Sequence, residues 1–135
     1  MESFDQFSKS IKEIIPASRL FTDPLRLLAW GTDAGFYRYL PKMVVTVETP
    51  DEVSRVMELA TRCEVPVTFR AAGTSLSGQA VSDSVLIVAG KAWEGYSIAP
   101  DASTITLQPG IIGDRVNQIL APLGRMFSPD PASKK

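Results

Sequence analysis

The feature that most constrains this fold is a helix start placed directly behind a short apolar run. Thr49 and Glu52 have the spacing of a capping box, and Pro50 occupies the first helical position between them. The preceding run, 43–47, is rich in valine, which favours a strand, and a second extended run follows at 67–69. Strand, helix and strand in this order predict a βαβ unit and therefore the α/β class.

Further segments extend the α/β pattern on both sides of this unit. Apolar residues at helical spacing predict a helix over 4–15, and a second short helix is predicted to start at Asp23 with Leu25 and Leu28 facing inward. The remaining predicted elements are a buried strand at 85–88, a hairpin formed by 95–98 and 104–108, and a helix at 114–122. Together they indicate a small parallel or mixed sheet with flanking helices.

The composition removes several kinds of chemistry. The 135 residues include no histidine and one cysteine, Cys63, which lies on the apolar face of the predicted helix and is interpreted as a core residue. Ser-His-Asp catalysis, histidine-ligated zinc and an intrachain disulfide are therefore excluded within this sequence. With 14 basic and 15 acidic residues, no positive excess favours nucleic acid or an anionic membrane. We expect a soluble, intracellular protein that borrows any redox chemistry from a cofactor.

The segment 70–80 is the strongest candidate for a binding site. It follows a predicted strand, and all its side chains except those of Arg70 and Leu76 are small or uncharged and polar. Such a loop lets main-chain N–H groups converge and lets a bulky anion approach the backbone closely. The residues by themselves leave two interpretations open, a diphosphate cradle and an ordinary turn.

Two common phosphate-binding loops do not match this segment. Gly73 and Gly78 have the four-residue gap of a Walker A loop, but Gln79 and Ala80 replace the lysine and hydroxyl residue that should follow. The dinucleotide fingerprint needs three glycines that open a helix, and here an apolar strand follows instead. Mononucleotide hydrolysis and classical dinucleotide binding are therefore disfavoured.

Three stretches in order resemble the FAD-binding domain of the p-cresol methylhydroxylase and vanillyl-alcohol oxidase superfamily, and a fourth resembles a subgroup of its members. Residues 66–79 resemble its pyrophosphate loop, 107–110 its "QPG" segment, and 127–133 its "PPDP-S" loop. Upstream, 30–38 resembles the segment that opens FAD-linked D-lactate dehydrogenases and glycolate oxidase subunits. The resemblance implies an α/β fold that forms the first portion of such an FAD-binding domain.

The resemblance also implies the cofactor and the residues that meet it. The implied cofactor-binding residues are Arg70, Ala71, Ala72, Gly73, Thr74, Ser75, Gly78, Gln79, Pro129, Asp130 and Ser133. The FAD is expected to be noncovalent, and no catalytic residue or metal ligand is assigned. Two alternatives stay open: Arg70 pairs with a surface carboxylate instead, and Asp130 only fixes a turn.

The sequence departs from the family pattern in three ways. Ser75 stands where many members have glycine or asparagine, although its hydroxyl can still donate. Phe69 and Ala71 replace the proline and the first glycine of the common Pro-Arg-Gly-x-Gly loop. The glycine-rich flavin segment and the cap domain that follow in the family are absent from these residues. We therefore expect a helical lead-in at 1–40 and an FAD-binding subdomain, truncated at its C-terminus, at 41–135. Alone the fragment is expected to be inactive, and an iron–sulfur cluster is expected only in the later part.

For the full-length enzyme, the resemblance implies a flavin-dependent oxidoreductase. It would oxidise a 2-hydroxy acid, D-lactate or glycolate, by hydride transfer to FAD. The alternatives are an FAD-linked oxidase of a different alcohol and a non-enzymatic α/β binding or interaction domain. The expected partners are FAD and a small hydroxy acid, with no nucleic acid and no membrane span. The expected location is cytoplasmic, or peripheral to the inner membrane.

Overall fold

The computed structural model describes residues 2–129 and 131, and the chain divides into two compact units, Met1–Gly90 and Lys91–Lys135. The helices of the first unit are α1 (Glu2–Ser10), α2 (Pro24–Trp30) and α3 (Pro50–Arg62). Its strands are β1 (Leu20–Phe21), β2 (Met43–Val47), β3 (Val67–Arg70) and β4 (Val85–Ala89). The second unit contains β5 (Tyr96–Ile98), β6 (Ile105–Leu107) and α4 (Gly113–Leu120). The predicted α/β class is confirmed.

Strands β1 to β4 form one mixed sheet in the order β1-β2-β4-β3. Strand β4 lies parallel to both of its neighbours, so that Leu86 is opposite Val44 on one side and Thr68 on the other. The helix α3 does connect two parallel strands, as predicted, but β4 lies between them. All five residues of β4 are buried, as its unbroken apolar run predicts. The carboxyl ends of β2, β3 and β4 meet at one sheet edge, where open α/β sheets bind their ligands.

Helix α3 begins where the capping box predicts, and its Glu52 also makes a longer-range contact. The N–H of Glu52 donates to Thr49 Oγ1 at 3.2 Å, while its carboxylate accepts the N–H of Glu48 at 2.8 Å. The same carboxylate receives two hydrogen bonds from the Arg19 guanidinium, at 2.6 and 2.7 Å. This bidentate pair attaches the turn before β1 to the start of α3.

We expect this ion pair to make stability depend on pH. Hydrogen bonding from Arg19 is the main reason why the pKa of the Glu52 carboxyl lies below its ordinary 4.5, although burial opposes the shift. A carboxyl with a lowered folded-state pKa stabilises the fold above its unfolded pKa and loses that contribution as the pH falls through the folded pKa. Glu52→Gln should therefore lower the free energy of unfolding by about 1–3 kcal/mol at pH 7.

Urea unfolding of wild type and Glu52→Gln at pH 7 and near pH 3 checks this expectation. The difference between the two proteins should shrink at the acidic pH, because protonation removes the wild-type carboxylate as well. Glu58→Gln is the matched control, since Glu58 is an exposed residue of the same helix. An equal loss at both pH values would contradict the role given to the ionised carboxylate.

Helix α2 begins at the predicted N-cap, Asp23, but buries a different face from the one predicted. The expectation that Leu25 and Leu28 point inward is wrong, because they are 77% and 44% exposed. Leu27 and Trp30 pack against the core instead. In a helix of two turns, residues at i, i+3 spacing share a face, so Leu25 with Leu28 and Leu27 with Trp30 are two alternative apolar faces. The face that contains the tryptophan buries more apolar surface.

The other helical predictions differ from the structure mainly at their ends. The helix predicted over 4–15 ends as α-helix at Ser10 and continues as a 3-10 turn, Ile11–Glu13. Cys63 caps the C-terminus of α3 and is buried, which confirms the prediction of a core residue. Within residues 2–129 and 131, no helix is both long enough and apolar enough to span a membrane.

In the second unit, β5 and β6 form the predicted antiparallel hairpin. Gln108 closes its open end with two hydrogen bonds: the N–H of Gly95 donates to Gln108 Oε1 at 2.8 Å, and the N–H of Gln108 donates to the Gly95 carbonyl at 2.9 Å. After α4, Asn117 Oδ1 accepts the N–H of Phe127 at 2.8 Å. This contact holds the segment that leads to Pro129 against α4.

Candidate functional site

The candidate site lies at the carboxyl end of β3, in the loop that leads to β4. Gly73 and Gly78 have φ angles of 72° and 75°, a conformation that residues with a side chain adopt only at a cost. Between them lie small or polar side chains, with the exception of Leu76. Apart from Leu76, no bulky side chain between the two glycines covers the main chain of the loop.

A second segment, 31–37, lies against this loop. The N–H of Ala34 donates to the Gly73 carbonyl at 3.1 Å. A Cβ at Gly35 would come within 2.8 Å of the Leu76 carbonyl oxygen, and a Cβ at Gly78 within 3.1 Å of the Tyr37 ring. The two chain segments therefore touch backbone to backbone. We call residues 31–37 and 70–80 together the cradle.

The sequence pattern predicts no cofactor-binding residue in 31–37, although 30–38 resembles a segment of the family. The signal that points to this wall of the cradle is Gly35. Its position has no room for a side chain, because Leu76 of the opposite segment lies too close. A glycine between aromatic and polar residues is a marker of such a close approach, but the sequence does not reveal which segment approaches.

Arg70 extends behind the loop, toward main-chain carbonyls. Its Nη1 donates to the Thr32 carbonyl at 2.6 Å and lies 3.3 and 3.5 Å from the carbonyls of Ala80 and Trp30. The guanidinium carbon lies 5.1 Å from the centre of the Trp30 ring, in a cation–π contact. Among the described residues no carboxylate lies within ion-pair distance of Arg70, so the alternative of a surface ion pair is not observed.

The electrostatics of Arg70 reflect its burial. Burial lowers the pKa of the Arg70 guanidinium, and the nearby Asp33 carboxylate opposes that shift. Arg70 Nε and Asp33 Oδ2 are both buried and make no hydrogen bond within the described ranges. Asp33 Oδ1 accepts the N–H of Gly35 at 2.8 Å, which fixes the turn between them. A positive charge therefore sits close beneath the loop, because an arginine stays protonated at neutral pH.

The loop satisfies some of its own N–H groups and leaves others available. Ser75 Oγ accepts the N–H of Ser77 and the N–H of Gln79, both at 3.2 Å, and donates its own proton to Gln79 Oε1. The Ser75 hydroxyl is thus engaged within the loop. In contrast, the N–H groups of residues 72–75 donate to no acceptor in the described part of the chain. These main-chain donors are the groups that an anion can use.

The cradle fits a bulky anion such as a diphosphate. Its donors are main-chain N–H groups, its side chains leave the backbone accessible, and the Arg70 charge lies beside Gly73. A Cβ at Gly73 would overlap the Arg70 guanidinium, and the φ angle of 72° is strained for any residue with a side chain, so both features favour glycine there. No lysine or magnesium-binding hydroxyl follows the second glycine, as the sequence already indicates. The loop therefore lacks the two side chains with which a Walker A loop binds a nucleotide and its metal ion.

The predicted site residues fall in two places. Eight of them share the loop at the end of β3: Arg70, Ala71, Ala72, Gly73, Thr74, Ser75, Gly78 and Gln79. Pro129 lies in the second unit and is exposed. Asp130 and Ser133 lie outside the described residues. The cofactor contacts of all these residues stay predictions.

The fold and the cradle define an α/β domain whose main-chain loop is suited to a bulky anion. The chain belongs to the FAD binding domain family, whose model matches residues 41–135. The resemblance noted in the sequence is thereby confirmed, and FAD is the cofactor of the family.

Curated relatives extend the likeness. The chain is 29% identical over 128 residues to glycolate oxidase subunit GlcD of Escherichia coli (strain K12), which covers 93% of this chain and 26% of GlcD. It is 28% identical over 107 residues to D-2-hydroxyglutarate dehydrogenase of the same organism, covering 76% of this chain and 10% of that protein. The chain thus spans about a quarter and a tenth of these two relatives.

Solved structures share the fold at low sequence identity. An alkyldihydroxyacetonephosphate synthase matches with a TM-score of 0.80 and 20% identity, over 97% of this chain and 27% of that chain. The p-cresol methylhydroxylase with bound substrate matches with a TM-score of 0.80 and 14% identity, over 99% of this chain and 28% of that chain. The predicted fold type, that of the p-cresol methylhydroxylase FAD-binding domain, is confirmed.

Proposed function

We propose that this chain supplies the diphosphate-binding part of a flavoenzyme that oxidises a 2-hydroxy acid. The observation that carries the proposal is the similarity to GlcD over 93% of the chain, the cradle included. The second relative is named for D-2-hydroxyglutarate, and glycolate and D-2-hydroxyglutarate are both 2-hydroxy acids. Glycolate and D-lactate are the substrates that we propose to test first.

In this proposal the N–H groups of residues 72–75 bind the FAD diphosphate. Gly73 and Gly78 have the positive φ angles that shape this loop, and Ala71 adds only a small side chain beside it. Gln79 is hydrogen-bonded to Ser75 through its side chain and its main-chain N–H, and these bonds hold the second half of the loop together. The loop supports the proposal because its donors have no acceptor among the described residues.

The segment at 129–133 is proposed to meet the same cofactor. Pro129, Asp130 and Ser133 carry this role through the resemblance of their segment to the "PPDP-S" loop.

We further propose that the flavin is held without a covalent bond to this chain. The sequence has no histidine, and Cys63 is buried in the core, so neither residue is available as a tether here. Bound FAD supplies the acceptor for the hydride that leaves the alcohol carbon. We assign no proton-accepting residue in this chain. Its own residues bind and orient the cofactor.

The test uses the full-length protein. Its visible absorbance should show a flavin that denaturation releases as free FAD, and an artificial electron-accepting dye should be reduced with glycolate or D-lactate. L-lactate, D-2-hydroxyglutarate and a simple alcohol complete the screen. Reduction by alcohols other than 2-hydroxy acids would overturn the substrate class. A colourless, folded protein that ignores added FAD would overturn the proposal as a whole, in favour of a non-enzymatic domain.

A further inference from the structure

Arg70 is the one charged residue of the loop, and its side chain extends behind the loop rather than along its open main chain. We propose that Arg70 is a positioning residue, which holds the two segments of the cradle in their binding shape rather than binding the diphosphate itself. The inference rests on the proposed function of the loop. It departs from the sequence prediction, which counted Arg70 among the cofactor-binding residues.

The first reason is the number of chain segments that one guanidinium joins. Its Nη1 lies within hydrogen-bond distance of carbonyls at the end of α2 (Trp30), in segment 31–37 (Thr32) and at the end of the loop (Ala80). These carbonyls are separated from Arg70 by 40, 38 and 10 residues. The guanidinium therefore joins the end of α2 and segment 31–37 to the end of the loop at one point.

The second reason is the contact between Arg70 and Gly73. The space that a Cβ of Gly73 would need is filled by the guanidinium. The carbonyl of the same glycine accepts the N–H of Ala34 at 3.1 Å. Gly73 is therefore held between the arginine and segment 31–37. Both contacts therefore fix the position of Gly73, which lies among the available N–H groups of residues 72–75.

The third reason is that part of the charged Arg70 side chain is buried, which costs free energy. Arg70 Nε is buried without a hydrogen-bond partner in the described ranges, as is Asp33 Oδ2 nearby. An apolar side chain at this position would avoid that cost. Only an arginine offers both a flat face for Trp30 and a donor for several carbonyls. The residue thus serves the geometry of the cradle more than the stability of the fold.

The experiment compares Arg70→Gln with wild type in the cofactor-free, full-length protein. Hydrogen–deuterium exchange of the Ala34 N–H, followed by mass spectrometry on overlapping peptides, measures how firmly segment 31–37 holds Gly73. We expect exchange to become about tenfold faster, as a loss of about 1.4 kcal/mol would produce. Arg55→Gln is the matched control, because Arg55 is an exposed arginine of α3. Far-UV circular dichroism checks that each variant is folded.

FAD titration of the same variants completes the test. A positioning role predicts faster Ala34 exchange together with FAD affinity lowered about tenfold. If FAD affinity falls while Ala34 exchange stays at the wild-type rate, Arg70 binds the diphosphate directly and the inference is overturned. It is also overturned if neither quantity changes. Wild-type protein that binds no FAD would contradict the proposed function, whereas the exchange result would still decide how Arg70 acts on the cradle.

Arg70→Lys serves if the glutamine variant does not fold. Lysine keeps the charge but loses the flat face and the fork of donors. A positioning role predicts faster Ala34 exchange in this variant as well. A direct charge contact predicts nearly wild-type FAD affinity with unchanged exchange, which would overturn the inference.

Discussion

Replacing Gly73 with alanine in the full-length protein should weaken FAD binding about 100-fold. The φ angle of 72° at this position costs a residue with a side chain about 1–2 kcal/mol. The added Cβ would also overlap the Arg70 guanidinium, so the loop or the arginine must move. A displaced loop loses part of its hydrogen bonding to the diphosphate, which is about 1.5–3 kcal/mol for a charged partner. Each 1.4 kcal/mol is about a tenfold change in affinity.

Gly90→Ala is the matched control for this prediction. A Cβ at Gly90 would meet no atom within 4 Å, and Gly90 is not among the described glycines with positive φ. It also follows β4 at the same sheet edge, so both changes add one methyl group near the end of a parallel strand. FAD titrated into the cofactor-free proteins, followed by flavin fluorescence, gives the two affinities. Equal affinities for the two variants would contradict the role of Gly73.

The local signals in the sequence predict most of the elements, although not the two-residue strand β1, and they do not predict the order of the strands in the sheet. The Thr49 capping box and the apolar run of β4 determine structure through residues that are near one another in the chain. The insertion of β4 between β2 and β3 depends on pairing between distant strands. Chain order does not specify that choice, because a crossover helix can skip a strand position.

The site shows the same division between local and distant information. The small residues and two glycines of 70–80 predicted an open main-chain loop, and the positive φ angles of Gly73 and Gly78 agree with it. The partner segment 31–37 was not predicted as part of the site, because its contacts join residues far apart in the chain. The direction of Arg70 was not predictable either. An arginine can donate to a carboxylate or to a carbonyl, and the fold decides which of them is near.

Leu86→Ala should have the largest effect on stability. Leu86 is fully buried in the central part of β4, in a cluster with Val44 and Val88. Truncating such a leucine costs about 2–5 kcal/mol, which is a large part of the 5–15 kcal/mol that typically stabilises a domain. Trp30 packs against the same cluster and lies beneath the Arg70 guanidinium. The cavity should therefore loosen the cradle as well as the core, and FAD affinity should fall with stability.

Urea unfolding followed by far-UV circular dichroism measures the loss, and two further variants show whether burial and volume are its cause. Leu25→Ala removes the same atoms from a residue that is 77% exposed, so it should change the free energy of unfolding by less than about 0.5 kcal/mol. Leu86→Met keeps most of the volume and should cost less than about 1.5 kcal/mol. If Leu25→Ala and Leu86→Ala lower the free energy of unfolding by similar amounts, the assignment of Leu86 to the core is contradicted. A loss of stability in Leu86→Ala with unchanged FAD affinity would instead separate the core from the cradle and leave Trp30 without a part in positioning Arg70.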